Sequence, residues 1–137
     1  MEGFRAVTEE RVIFRDLDIL GHVNNAVYAT YFETGRVDYL NAVTAGVMDV
    51  VQVILAEITI TYRSPAFLGE TLTIGTRISE MRNSSFVVEG QIIAKGDNRL
   101  VATSRAALVH YDYTQKRSVP LPKALREAVS QFEGREF

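Results

Sequence analysis

Apolar residues recur along this chain with two different periods, and each change of period marks a change of element. Between Thr8 and Arg15 they alternate, Val12 and Phe14 on one face and Arg11, Ile13 and Arg15 on the other, which predicts a first strand. From about Asn24 to Val43 the interval lengthens to three, four and seven through Tyr28, Tyr31, Phe32, Tyr39, Leu40 and Val43, as on one buried face of a helix. Asn24 is placed to cap that helix, because its side-chain oxygen can accept from a first-turn N–H. Gly35 costs about 1 kcal/mol against alanine in a helix interior, so it predicts close approach of the helix backbone to a sheet beneath it. After a glycine-containing connection, alternation returns and persists. Gln52–Arg63 sets Ile58, Ile60 and Tyr62 against Glu57, Thr59 and Thr61, and Thr71–Ile78, Ser85–Ala94 and Leu100–Tyr111 follow as strands. SPAFLGE, Arg82-Asn83-Ser84 and Lys95-Gly96-Asp97-Asn98 supply the turns. A short helix after Pro122 carries Leu125, Ala128, Val129 and Phe132 on one face.

The predicted order is β-α-β-β-β-β-α. Hairpins make the later strands antiparallel, the long helix supplies one crossover, and a mainly antiparallel sheet wrapped around that helix satisfies every element. No linker, repeat or low-complexity segment divides the 137 residues, so residues 1–137 are expected to form one domain.

Composition removes whole classes of chemistry. There is no cysteine, which excludes disulfides, thiol nucleophiles, zinc ribbons and iron–sulfur ligation. The two histidines, His22 and His110, are far apart in sequence, so no metal site is expected, and no cofactor. Asp16 and Asp18 form a D-x-D pair but lack the supporting ligands a metal needs. A net charge of −2 without a basic run offers nothing to nucleic acid. No apolar run approaches the ~20 residues of a membrane span. The first residues, MEGFRAVTEE, lack the basic-then-apolar pattern of a secretory signal, so a cytoplasmic location is expected.

The polar residues of most chemical interest, Asp16, Asp18, His22, Asn24 and Asn25, lie between the first strand and the long helix. Helix-initial N–H groups lack intrahelical partners and carry partial positive charge, so they suit an anion or a developing oxyanion. A carboxylate beside them completes a minimal kit for acyl transfer.

These residues carry a resemblance. Asp18-Ile-Leu-Gly21-His22-Val23-Asn24-Asn25-Ala26-Val27-Tyr28, followed by Tyr31 and Glu33, is similar to the signature of hotdog-fold acyl-CoA thioesterases, nearest the 4-hydroxybenzoyl-CoA thioesterase-like branch. Tyr62-Arg63-Ser64-Pro65-Ala66 with Gly69-Glu70 resembles the Y-x-x-P-A-x-x-G-D/E turn of the same family. The resemblance implies an α+β hotdog fold: a curved five-stranded antiparallel sheet around one long central helix, with a short C-terminal helix here. It implies a homodimer that joins sheet edges and places the active site between subunits; a one-layer sheet with a helix on one face leaves its other face to be covered, which a tetramer of two dimers would do. It implies an acyl-CoA substrate, Asp18 as the catalytic carboxylate and the Asn25 backbone N–H as oxyanion donor. Arg82 and Ser84 are implied contacts to coenzyme A. The family's acyl-carrier-protein branch has Asn two residues before the motif histidine, where this chain has Leu20.

The remaining polar residues have plainer expectations. Asp16 fixes the turn, Asn24 caps, and His22 either takes part in chemistry or bonds the loop to a neighbouring strand. Glu33 and Arg36 form an ordinary i,i+3 pair, Tyr28 and Tyr31 belong to core or interface, and His110 is structural. Glu57 sits on a strand that looks central. Thioester hydrolysis is the leading function. A hotdog hydratase or dehydratase would want an Asp–His pair in a D-x4-H arrangement, which neither Asp16 nor Asp18 makes with His22. A non-catalytic acyl-thioester binder has no need of Asp18. A serine hydrolase would need a G-x-S-x-G elbow, and the chain has none.

Overall fold

The computed structural model describes residues 1–45 and 52–137. The glycine-containing connection after the long helix lies outside the described residues. Strands β1 (Ala6–Arg11), β2 (Val53–Tyr62), β3 (Thr71–Met81), β4 (Ser85–Ala94), β5 (Arg99–Asp112) and β6 (Arg117–Ser118) are joined by helices α1 (Val27–Val43) and α2 (Lys123–Glu133). The architecture is α+β. The main path of the sheet runs β1-β3-β4-β5-β2, antiparallel throughout, with β6 paired to β5 alone.

Four expectations are corrected. The sheet has a sixth strand beyond the five expected, because the chain after β5 doubles back to pair Ser118 with Tyr111 and Arg117 with Asp112. Asp112 Oδ1 holds that reversal by accepting from the N–H groups of Thr114 and Gln115 at 2.8 and 3.1 Å. The first strand ends at Arg11, not Arg15. Val12 is buried, but Phe14 starts a single 3-10 turn, Phe14–Asp16, and is 80% exposed. Asp16 drives that departure, since its carboxylate accepts from the Ile13 N–H at 3.1 Å. The turn SPAFLGE does not join paired strands. β2 and β3 are not neighbours, and the connection crosses the end of the sheet so that β2 pairs with β5 on the outer edge. Glu57 is therefore exposed on an edge strand and needs no buried partner.

Helix α1 is 17 residues long, about 25 Å at 1.5 Å per residue. It begins at Val27, three residues later than expected. Asn24 acts just before it, accepting the Ala26 N–H on its side chain and the Val27 N–H on its carbonyl, both at 2.9 Å. The predicted contact at Gly35 is present: a Cβ there would stand 2.5 Å from Thr76 Oγ1 and 2.9 Å from a methyl of Ile74, both on β3. Two apolar clusters flank this contact. Tyr28, Tyr31 and Phe32 pack on Leu72, Ile74, Ile92 and Val101. Tyr39 and Val43 pack with Ile78, Phe86, Leu125 and Val129, so α2 closes the far end of the core. Among the described residues no helix is long and apolar enough to cross a membrane.

Candidate active site

The segment between the 3-10 turn and α1 is a tight reversal with its own backbone bonding. The Asp18 N–H donates to the His22 carbonyl at 2.8 Å, and the Gly21 N–H donates to the Asp18 carbonyl at 3.2 Å. Gly21 makes the reversal at φ 85°, a left-handed value that glycine adopts without a Cβ clash. Asp16 is structural, as expected: its carboxylate also accepts the Tyr31 hydroxyl at 2.8 Å, and its carbonyl accepts the Asn24 N–H. Burial and that hydrogen bond to a carboxylate push the Tyr31 hydroxyl well above the ordinary phenol range.

The reversal brings Asp18 and His22 together. Asp18 Oδ2 lies 3.1 Å from His22 Nδ1, and Oδ1 accepts the Leu20 N–H at 2.9 Å. Oδ1 is thus held by a hydrogen bond and Oδ2 faces the imidazole, while a quarter of the side chain stays open to solvent. Sequence spacing gave no hint of this pair, because contact between residues four apart depends on the glycine turn.

Asp18, His22 and Asn25 line a cavity of about 440 Å³, whose other walls include Tyr28, Tyr62, Ser64 and Pro65. The Asn25 N–H has no hydrogen-bond acceptor among the described residues, whereas the N–H groups of Asn24, Ala26 and Val27 are all used. Tyr62 fixes this corner by donating its hydroxyl to the Asn25 carbonyl at 2.8 Å and by packing edge-on against Tyr28 at 5.2 Å. Tyr62, Ser64 and Pro65 were not foreseen as site residues. Their signal was the Tyr62-to-Ala66 motif, which the sequence alone identifies only as a strand running into a turn.

A clamp holds that wall. Arg99 Nη2 donates to both Glu70 carboxylate oxygens at 2.7 and 2.8 Å and to the Pro65 carbonyl at 3.1 Å. Glu70 in turn accepts the Phe67 N–H at 2.8 Å. The fixed turn meets the reversal edge to edge, with the Val23 N–H on the Ala66 carbonyl at 2.9 Å and a bridge between His22 and Phe67.

Arg82 and Ser84 lie elsewhere in the chain. Their hairpin leads into Ser85, which registers on Val109 and through it on Ile54, whereas the cavity is at Tyr62. Eight residues of strand separate Ile54 from Tyr62, roughly 26 Å at 3.3 Å per residue. Arg82 pairs with Glu80 at 3.0 Å there. His110 is structural, its Nδ1 2.9 Å from the Pro120 carbonyl. Among the described residues no group of three or more His, Cys, Asp or Glu is arranged to hold a metal ion.

Comparison with known proteins gives one consistent answer. A family model described as the thioesterase-like superfamily matches residues 12–129. The long-chain acyl-CoA thioesterase FadM of Escherichia coli is 29% identical over 127 residues, covering 90% of this chain and 96% of that protein. The acyl-CoA thioester hydrolase YbgC, also from Escherichia coli, is 29% identical over 84% of this chain and 88% of its own length. Among solved structures, a thioesterase from Thermus thermophilus complexed with coenzyme A and zinc superposes with a TM-score of 0.89 at 34% identity, each chain covered in full.

Proposed function

The chain belongs to the thioesterase-like superfamily, and on that premise we propose that it hydrolyses acyl-CoA thioesters to a free acid and coenzyme A. The observation that supports the mechanism is one cavity lined by both Asp18 and Asn25, the N–H of Asn25 having no acceptor among the described residues. With the thioester carbonyl carbon beside Asp18, its oxygen points at the Asn25 N–H. As the carbon becomes tetrahedral, negative charge grows on that oxygen, and one such donor is worth about 2.7–4 kcal/mol in the transition state.

Asp18 drives the addition in one of two ways. As a nucleophile it forms a C–O bond to the carbonyl carbon. The C–S bond then breaks, the coenzyme A thiolate leaves to take a proton, and water cleaves the resulting anhydride. As a general base it takes a proton from water while the water oxygen adds to the carbon. If water opens the anhydride at the Asp18 carbon, a single turnover in heavy-oxygen water carries label into that carboxylate, which the general-base route never does. His22 Nδ1 stands 3.1 Å from Asp18 Oδ2, so a small rotation of the ring brings its N–H onto the carboxylate and steadies it.

The same proposal includes a second copy of the chain. β2 is an edge strand whose outer side has no partner among the described residues, and Ile54, Leu55 and Tyr62 are exposed along it. Free edges of this kind require cover. A homodimer, itself able to pair into a tetramer, covers them. If the two β2 edges run antiparallel, the hairpin bearing Arg82 and Ser84 approaches the partner's cavity, where those residues can hold the phosphates or pantetheine of coenzyme A.

The test is Asp18→Asn, assayed by thiol release from a panel of short, branched, aromatic and long acyl-CoA substrates. Turnover is expected to fall 10²–10⁴-fold with unchanged circular dichroism. Near wild-type turnover removes Asp18 from the chemistry. Tight acyl-CoA binding by the wild type with no hydrolysis across the panel overturns the activity itself.

A further inference from the structure

Arg36 is 8% exposed, yet it makes no hydrogen bond or ion pair among the described residues. Burial pushes its guanidinium below the ordinary arginine range, and Glu33, one turn away, pushes back without reaching it. The i,i+3 pair expected from the sequence therefore does not form within the chain. A mostly buried cation gains from an acceptor of opposite charge, because burial removes part of its hydration. The side chain lines a groove of about 190 Å³ between α1 and the free edge strand, with Glu33 at its wall beside Val37, Leu40, Val53, Leu55 and Leu108. Val37 and Leu55 are 52% and 46% exposed there, so the apolar groove continues onto the open flank of the helix.

We propose that Arg36 is completed by Glu33 of the partner subunit, and Glu33 by the partner's Arg36, across a two-fold axis that passes between the two α1 helices at the level of Thr34 and Gly35. Three features of the helix support this pairing. Glu33 and Arg36 carry opposite charges, Glu33 is exposed and Arg36 has no acceptor among the described residues, so each supplies what the other can use. They straddle the middle of a helix spanning Val27–Val43. In a two-fold contact residue i meets j while j meets i, and antiparallel helices centred on this point set position 33 against 36 twice. The same operation sets Leu40 against Ala29 of the partner subunit, large against small, as close helix packing at 8–10 Å requires. The proposal rests on the reading that a second copy closes the active site, and adds the residues that fix its register. The pair acts as a registry device, a use for which buried ionic groups are best attested.

The experiment is complementation between charge-reversal variants. Glu33→Arg puts two arginines on each helix, and Arg36→Glu puts two glutamates. Each variant alone is expected to dissociate about 100-fold more readily than wild type in sedimentation velocity, because both reciprocal pairs become repulsive. An equimolar mixture is expected to form a heterodimer of near wild-type stability, since each contact then joins arginine to glutamate. If the pair instead lay within one chain, mixing would restore nothing, and that result overturns the proposal. Circular dichroism checks that the buried substitution folds. If Arg36→Glu does not, Glu33→Arg decides alone, and unchanged association overturns the proposal. Sedimentation does not depend on turnover, so failure here is distinguishable from failure of the thioesterase reading, which wild-type thiol release tests.

Discussion

Gly35 is where α1 rests on the sheet, and replacing it with alanine sets two opposing effects against each other. The helix interior gains, because alanine is favoured over glycine by about 1 kcal/mol. The packing loses, because the added methyl would sit 2.5 Å from Thr76 Oγ1 and 2.9 Å from an Ile74 methyl. Both neighbours are buried on β3, Ile74 fully, so neither can swing into solvent. Overpacking of this sort costs about 1–3 kcal/mol, and contacts this short belong at the upper end. The net expectation is a loss of roughly 1–2 kcal/mol, or about 4–8 °C in melting temperature for a chain of this size. Urea unfolding should show the midpoint falling with the slope unchanged. Thr76→Ala in the same molecule removes the nearest obstacle, so the double variant should be more stable than the two single losses added together. Turnover should fall more than the melting temperature suggests. A helix lifted off β3 moves the Asn25 N–H relative to Asp18, and a displacement of about 1 Å can cost 10²-fold in rate. A Gly35→Ala protein that melts at or above the wild-type temperature refutes this account of why the helix carries glycine.

Tyr62→Phe removes the hydroxyl that holds the Asn25 carbonyl and little else; thiol release should fall several-fold while stability changes by about 1 kcal/mol or less, measured by parallel kinetics and thermal melts. Alkaline pH should also destabilise the fold. Tyr31 and Tyr39 are buried and donate to Asp16 and Glu133, which raises both hydroxyls above their ordinary value of 10.0. Their contribution is complete below pH 10 and is lost as pH rises beyond it, because the unfolded chain then ionises its tyrosines while the folded chain does not. Equilibrium unfolding between pH 8 and about 11.5 checks the sign, and stability that rises over that span contradicts it.

Much of the architecture was readable from local pattern. Alternation located four long strands, the helical interval located α1 and α2, and Gly35 announced the helix–sheet contact. The reason is that side-chain period is a property of each element and needs no knowledge of neighbours. Asp18, His22 and Asn25 could be singled out because they cluster in sequence at a helix start. What the sequence did not supply was adjacency between distant segments. SPAFLGE has the composition of a hairpin turn, and only the folded sheet places β2 beside β5 and sends that segment across the sheet end as a wall of the cavity. Phe14 continues an alternating pattern, but the bond from the Ile13 N–H to Asp16 withdraws the chain from the sheet first.

The same division runs through the polar groups. Sequence by itself established which chemistry is available: carboxylate and backbone N–H, without thiol or serine elbow. Tertiary structure decided which groups meet. It joined Asp18 to His22 through a left-handed glycine, set Asn25, whose N–H has no acceptor among the described residues, on the same cavity, and separated Arg82 and Ser84 from it by most of the length of a strand. It also withheld from Arg36 the glutamate that helical spacing would have assigned to it. Residue types and periods are written one position at a time, whereas a charge's partner depends on where the whole backbone puts it.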